Sequence, residues 1–102
     1  MKDKESKYKE YDCVQVLQGV TDPDFDTNLG GWSGIIEEID LSDNGLWLYG
    51  IRWDRKTLSK IGEEYIDKCE DNNLDYEYIY LEEQELELIN ENKDPEKAFL
   101  LA

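Results

Sequence analysis

The stretch from Asp22 to Asn28 carries the side chains best suited to a chemical role. Aspartates stand at positions 22, 24 and 26 and an asparagine at position 28, so side-chain oxygens recur at every second residue. Calcium takes oxygen ligands, and the EF-hand loop also draws them from alternate positions. The loop is not an EF-hand, because Thr27 and Ser33 stand where that motif has glycine and glutamate. We predict a calcium site of different geometry, with the ligands Asp22, Asp24, Asp26 and Asn28.

The same loop also has an interpretation without metal. Asp and Pro favour turns for backbone reasons alone, so the three aspartates and Pro23 are equally typical of an ordinary solvated loop. Phe25, which lies between the acids, is expected to tuck into the core and fix the position of the loop. The sequence leaves both interpretations open.

A second group of acids surrounds the end of the predicted helix that follows the aromatic segment. Asp54 comes directly after that segment, and the other members are Glu70, Asp71, Asp75 and Glu77. Their proximity in the chain predicts a composite calcium site to which Asp54, Asp71 and Asp75 contribute. The alternative is that helix ends and loops routinely expose acids. Three basic residues within two positions of Asp54 weigh against a metal there.

The sequence offers little to a catalyst. It contains no histidine, so the commonest general base and the commonest transition-metal ligand are both missing. Nucleophilic catalysis needs Ser, Cys or Lys beside an activating base, and paired carboxylates arise by chance when acids are this abundant. Cys13 and Cys69 match no metal or redox spacing, which predicts two reduced, buried thiols. We predict that the protein is not an enzyme.

The composition sets the class of protein. The 102 residues suffice for one domain, and three Trp and seven Tyr supply bulky groups for its core. Eleven Lys and Arg against twenty-six Asp and Glu give a net charge of −15, which repels nucleic acid and anionic membranes. No apolar run approaches the ~20 residues of a membrane span. We predict a cytoplasmic protein with neither a nucleic-acid nor a membrane partner.

The negative charge is concentrated between Gly62 and Glu91. This stretch holds twelve Asp or Glu and a single lysine, a net charge of −11. Like charges packed so closely destabilise a compact fold unless cations or a basic partner compensate for them. The stretch therefore predicts that the protein binds either calcium or a basic protein partner.

The elements that would position these acids are mainly strands. Residues 13–17, 32–40 and 46–53 are rich in β-branched and aromatic residues, as strands are. Alternate residues from Trp47 to Trp53 would point to one face. Between the second and third strands, Asn44-Gly45 predicts a hairpin with a type I′ turn.

The hydrophobic period changes after Asp54. Residues 59–71 have apolar side chains at helical spacing and predict one short helix. Residues 77–81 and 85–89 predict two further strands, with a turn at residues 82–84.

These elements predict a mainly β fold, namely a small SH3-like barrel of five strands with one short inserted helix. A barrel protects its edge strands by closing, and an open α+β sheet is the alternative. We expect residues 1–10 to be a flexible charged tail, residues 11–89 to form the single acidic domain, and residues 90–102 to be a C-terminal tail.

Aromatic side chains predict a third kind of site. SH3 domains bind proline-rich peptides in grooves lined by such residues. Burial in the core is the alternative for each of them. The candidates are Trp32, Trp47, Trp53, Tyr76, Tyr78 and Tyr80.

Several short segments have a distinctive order and spacing. They are Gly31–Ile36 (GWSGII), Ile51–Asp54 (IRWD) followed by Thr57-Leu58, Tyr65-Ile66 with Cys69-Glu70, Leu74-Asp75, and Ile79–Glu82 (IYLE). Together they resemble the small acidic calcium-binding proteins first recognised in cyanobacteria, over about residues 19–89. The resemblance implies a compact calcium buffer or modulator that catalyses nothing, and it specifies no ligands. The alternative function is an acidic SH3-like interaction module without metal.

Overall fold

A computed structural model describes residues 6–90. Residues 1–5 and 91–102, to which the tail predictions mainly refer, lie outside the described part. The elements, in chain order, are β1 (Cys13–Val16), β2 (Ser33–Leu41), β3 (Trp47–Trp53), α1 (Arg55–Leu58), α2 (Glu63–Asp71), β4 (Tyr78–Glu82), a 3-10 turn (Glu83–Glu85) and β5 (Leu86–Asn90). None of the helices in residues 6–90 has the length and apolar character needed to cross a membrane.

The five strands form one antiparallel sheet in the order β4-β3-β2-β1-β5. This confirms a mainly β fold with five strands, each within two residues of its predicted bounds. The sheet is not closed into a barrel: β4 and β5 are its two edges, and no ladder joins them in residues 6–90. Since only the three residues of the 3-10 turn separate these edge strands, the sheet must curl strongly.

The hairpin between β2 and β3 is confirmed, but its predicted turn type is wrong. The Gly45 N–H donates to the Ser42 carbonyl at 3.0 Å, and the Ser42 N–H donates to the Leu46 carbonyl at 2.8 Å. Within this turn, Gly45 has a positive φ of 85° and Asn44 does not. A type I′ turn would require a positive φ at both central residues. The loop is instead a type I turn closed by a left-handed glycine.

The predicted single helix at residues 59–71 is replaced by two helices. The second keeps the predicted end, and its first turn follows Gly62. The first helix starts earlier because the Asp54 carboxylate accepts a hydrogen bond from the Thr57 N–H at 2.8 Å. Such a cap satisfies an otherwise unpaired donor and favours helix initiation.

The core lies on one face of the sheet, where Tyr65 and Cys69 of α2 join the buried side chains of the strands. Tyr49, Ile51 and Trp53 point into it from β3, which confirms the predicted alternation for these positions, whereas Trp47 is half-buried. The Trp32 ring packs edge-on against Trp53 and Tyr65, at centroid distances of 5.2 and 5.4 Å. Such aromatic pairs add to the free energy gained by burial.

The packed structure extends upstream of the domain start that the sequence predicts at residue 11. Tyr8 is only 1% exposed. Its ring lies 5.3 Å from that of Tyr49, and its hydroxyl donates to the Leu86 carbonyl at 3.1 Å. The segment around Tyr8 therefore packs against both the centre and one edge of the sheet.

Candidate functional site

The Asp22 loop is closed by hydrogen bonds within itself. Asp22 is 2% exposed, and its carboxylate accepts from the Asp24 N–H at 2.9 Å. The backbone of Asp22 donates to the Thr27 carbonyl at 2.7 Å and accepts from the Asp26 N–H at 2.9 Å. The alternating spacing therefore produces a compact turn, in which a buried aspartate organises the backbone.

The other predicted ligands of this loop lie at the surface. Asp24, Asp26 and Asn28 are exposed, and the Asn28 side-chain oxygen accepts from the Gly30 N–H at 2.9 Å. Asp26 adopts a left-handed backbone with φ 60°, a conformation that Asp tolerates better than most residues. In residues 6–90, no three Asp, Glu, Cys or His side chains are grouped as a metal ion requires.

The fold nevertheless brings parts of the two predicted acidic groups within electrostatic range of Cys69 on α2. The Asp22, Asp24 and Asp75 carboxylates all contribute, after burial, to raising the pKa of the Cys69 thiol. Burial first, and then the charge of Asp22, also raise the pKa of Tyr65. The buried Asp22 carboxylate therefore acts, with the exposed Asp24 and Asp75, on the thiol of Cys69, and it also acts on the hydroxyl of Tyr65.

Asp54 has a structural role. Its carboxylate accepts from the Ser33 hydroxyl at 2.6 Å as well as from the Thr57 N–H. The Thr57 hydroxyl in turn accepts from the Ser33 N–H at 2.9 Å. Asp54 therefore fastens α1 to the start of β2, and the spacing Asp54-x-x-Thr57 is the helix-start signal in the sequence.

Asp71 and Asp75 are exposed near the end of α2. Asp71 is the last residue of the helix. One Asp75 oxygen accepts from the Glu77 N–H at 2.9 Å, which is a local turn interaction. The predicted composite site of Asp54, Asp71 and Asp75 is therefore not assembled in this structure.

A surface that the sequence reasoning missed lies on the side of β2, β3 and β4 that faces away from the core. We call it the outer face. In the sheet register, Glu38 is opposite Gly50 and Gly50 is opposite Tyr80, while Asp40 is opposite Leu48. The sequence could have revealed the outer face, because residues that alternate with the core-facing residues of a strand point to the opposite side of the sheet. The outer face includes Glu37, Glu38, Asp40, Leu48, Arg52, Tyr78 and Tyr80.

Arg52 occupies one end of the outer face. Its guanidinium lies over the Tyr78 ring, 5.0 Å from the centroid. Its Nε donates to a Glu37 oxygen at 2.9 Å, and a terminal nitrogen lies 3.8 Å from Glu77. A cation held by an aromatic ring and two carboxylates is the interaction for which arginine is best suited.

Tyr80 and Glu38 occupy the middle of the outer face. The Tyr80 hydroxyl donates to a Glu38 oxygen, an interaction that raises the pKa of Tyr80 above its ordinary value, with a smaller contribution from Asp40. The Tyr78 ring lies edge-on to Tyr80 at 5.4 Å. Gly50 allows this position of Tyr78, because a Cβ at residue 50 would collide with the Tyr78 hydroxyl and displace the ring.

Most of the aromatic residues predicted to line a peptide groove are parts of the core instead. Trp32 and Trp53 are buried, and Trp47 and Tyr76 are half-buried and pack against the core. Only Tyr78 and Tyr80 are presented on the outer face. The half-buried Phe25 packs against the core, as predicted, with its ring 6.2 Å from that of Tyr65.

The two cysteines are free thiols. Cys69 is buried and Cys13 half-buried. Burial raises the pKa of both thiols, and Asp54 adds to the effect at Cys13. Because the thiolate is the reactive form, both cysteines are weak nucleophiles.

Comparison of the chain with protein-family models, with curated proteins and with solved structures found no match.

Proposed function

We propose that this protein is a non-catalytic acidic module that binds a basic protein partner through its surface carboxylates. The observation that carries the proposal is the charge imbalance of the folded part: residues 6–90 contain twenty-one Asp and Glu but only seven Lys and Arg. Intramolecular ion pairs cannot neutralise such an excess. A basic partner would relieve the repulsion and would be steered toward the surface by the same field.

The architecture supports an SH3-like scaffold for this module. In the sheet, β1 lies between β2 and β5, and the 3-10 turn links the two edge strands. We infer a partly open form of the small barrel. A cytoplasmic location belongs to the same proposal, because two free thiols suit a reducing compartment.

The interaction predicts salt-sensitive binding of a basic peptide. A fluorescently labelled peptide of five Arg-Gly repeats should bind with a dissociation constant that weakens about tenfold or more between about 20 and 200 mM sodium chloride, because salt screens the attraction. Fluorescence anisotropy measures this binding. The matched control is the Gln-Gly peptide of equal length, which should not bind. Equal affinities for the two peptides at low salt would overturn the proposal.

Calcium binding is the second candidate. It is favoured by the buried Asp22 carboxylate, whose charge acts on Cys69 of α2 together with those of Asp24 and Asp75, and by the resemblance to acidic calcium-binding proteins. As arranged, these side chains do not fit the six to eight oxygens that calcium requires. We therefore propose that calcium would bind only if the Asp22 loop opened and turned its carboxylates toward Asp75.

The calcium candidate predicts a metal-specific rise in melting temperature. If the dissociation constant is about one hundredth of the calcium concentration, binding stabilises the fold by about 2.7 kcal/mol. Calorimetric titration with calcium and then with magnesium, and melting at matched ionic strength, measure the effect.

Two charge-matched double variants provide the control for this experiment. The variant Asp24→Asn with Asp75→Asn should abolish the rise in melting temperature. The variant Asp43→Asn with Asp67→Asn should preserve it, because it removes the same two exposed charges at positions that are not candidate ligands. No heat of binding, and a melting temperature no higher than in sodium chloride of equal ionic strength, would exclude calcium.

A further inference from the structure

We propose that the outer face is the docking surface of the basic partner, and that it takes an arginine side chain over Tyr80 between Glu38 and Asp40. This inference rests on the proposed function and names its site and its ligand chemistry. It is an interaction surface made of an exposed ring and flanking carboxylates, so the partner is an arginine-bearing segment of a protein.

The protein's own Arg52 shows how the outer face holds a guanidinium. It stacks on Tyr78 at 5.0 Å and pairs with Glu37 at 2.9 Å. The sheet places Tyr80 two residues along β4 from Tyr78, and Glu38 next to Glu37 on β2. The outer face therefore has two halves: the first half contains Tyr78, Glu37 and Arg52, and the second half runs from Tyr80 and Glu38 to Asp40 and Leu48. The second half repeats the chemistry of the first, with a tyrosine ring and a carboxylate across the strands.

The second half lacks the cation that the first half has. Within residues 6–90, no Lys or Arg nitrogen lies within 4.0 Å of the Glu38 or Asp40 carboxylate. Tyr80 is 48% exposed, and Leu48, opposite Asp40, is only half-buried. An exposed ring beside two unneutralised carboxylates is complementary to a guanidinium with an aliphatic stem, which would cover Leu48.

The geometry favours arginine over the other cations. A planar guanidinium stacks on a ring and forms hydrogen bonds with carboxylates at the same time, whereas an ammonium ion is compact and strongly hydrated. A divalent metal ion would need several oxygens converging on one point, and no such group of acidic side chains occurs in residues 6–90. A second copy of the chain is disfavoured, because each copy carries a charge of −15.

The test compares Arg-Gly and Lys-Gly peptides of five repeats on the full-length protein at low salt. The unchanged protein should prefer the arginine peptide by about threefold, the equivalent of a modest cation–π contribution. Tyr80→Ala should remove this preference and weaken arginine-peptide binding by about two- to fivefold. Because this substitution leaves the net charge unchanged, a general electrostatic attraction would not respond to it.

Two charge-matched double variants locate the site. Glu38→Gln with Asp40→Asn should weaken arginine-peptide binding by about three- to tenfold. Glu63→Gln with Asp67→Asn removes the same charge from exposed positions of α2 and should change binding by less than about twofold. Melting curves of each variant confirm that it is folded, and amide chemical shifts of Leu48 and Tyr80 should move when the peptide is added.

The outcomes separate the docking surface from the proposed function. If the peptide binds but both double variants weaken it equally and Tyr80→Ala has no effect, the docking surface is overturned while the acidic module stands. If the unchanged protein binds neither peptide at low salt, the proposed function fails as well. Arginine preference that persists in Tyr80→Ala also overturns the docking surface.

Discussion

Replacing Tyr8 with alanine should lower the free energy of unfolding by about 3–5 kcal/mol, the usual cost of truncating a large buried aromatic side chain. The substitution removes a side chain that is 1% exposed, its edge-on contact with Tyr49, and its hydrogen bond to the Leu86 carbonyl. Urea denaturation followed by tryptophan fluorescence measures the change.

Tyr80→Ala is the matched control for this prediction. It makes the same chemical change at an exposed position and should cost less than about 1 kcal/mol. If Tyr8→Ala does not fold, Tyr8→Phe still tests the role of the hydroxyl, with an expected loss of about 1 kcal/mol. Equal stabilities of Tyr8→Ala and the unchanged protein would mean that the segment around Tyr8 is not part of the packed structure.

Gly34→Ala should destabilise the protein by about 3 kcal/mol through overpacking. Gly34 lies in β2, opposite Trp53 on β3. A Cβ at this position would lie 2.8 Å from the Ile51 Cγ2 and would also collide with the Arg52 carbonyl oxygen. Because the backbone of the neighbouring strand cannot shift without disturbing the ladder, the strain cannot be relieved cheaply.

Gly62→Ala provides the comparison for Gly34. Gly62 has φ −79°, and nothing lies within 4 Å of the position that a Cβ would take. Its replacement should cost less than about 1 kcal/mol, the loss of a favourable residue at the start of α2. Thermal unfolding of Gly34→Ala and Gly62→Ala measures the loss of stability at each position. Equal losses of stability would mean that the contacts of Gly34 with the neighbouring strand do not restrict its side chain.

Local patterns in the sequence predicted most of the secondary structure. Alternation from Tyr49 to Trp53 placed β3 and its buried face, since side chains in a strand point to opposite sides in turn. The Asn44-Gly45 pair located the hairpin, although only Gly45 adopts a left-handed backbone. The helix α1 was missed, because its four residues carry no hydrophobic period and depend on the cap from Asp54.

The candidate sites were harder to predict, because the same residue types serve structural and binding roles. Asp22 and Asp54 were predicted as metal ligands, and their carboxylates accept hydrogen bonds from the loop backbone and from the start of α1. Which role an aspartate has depends on the donors that the fold places within about 3 Å of it, and those distances are not encoded by spacing along the chain. Calcium binding itself stays a prediction.

The sequence by itself determined the charge excess, the mainly β class and the buried face of β3 from Tyr49 to Trp53, since composition and short-range periodicity suffice for these properties. Only the tertiary structure decided which acids meet. Chain-distant residues such as Glu38, Asp40 and Tyr80 become neighbours through the pairing of β2, β3 and β4. The tertiary fold likewise gave Asp54 its hydrogen-bond donors, because its carboxylate accepts from the Ser33 hydroxyl on β2 and from the Thr57 N–H on α1. The hairpin turn sets the register of β2 and β3. The longer-range pairing of β4 with β3 then completes the outer face by adding Tyr78 and Tyr80.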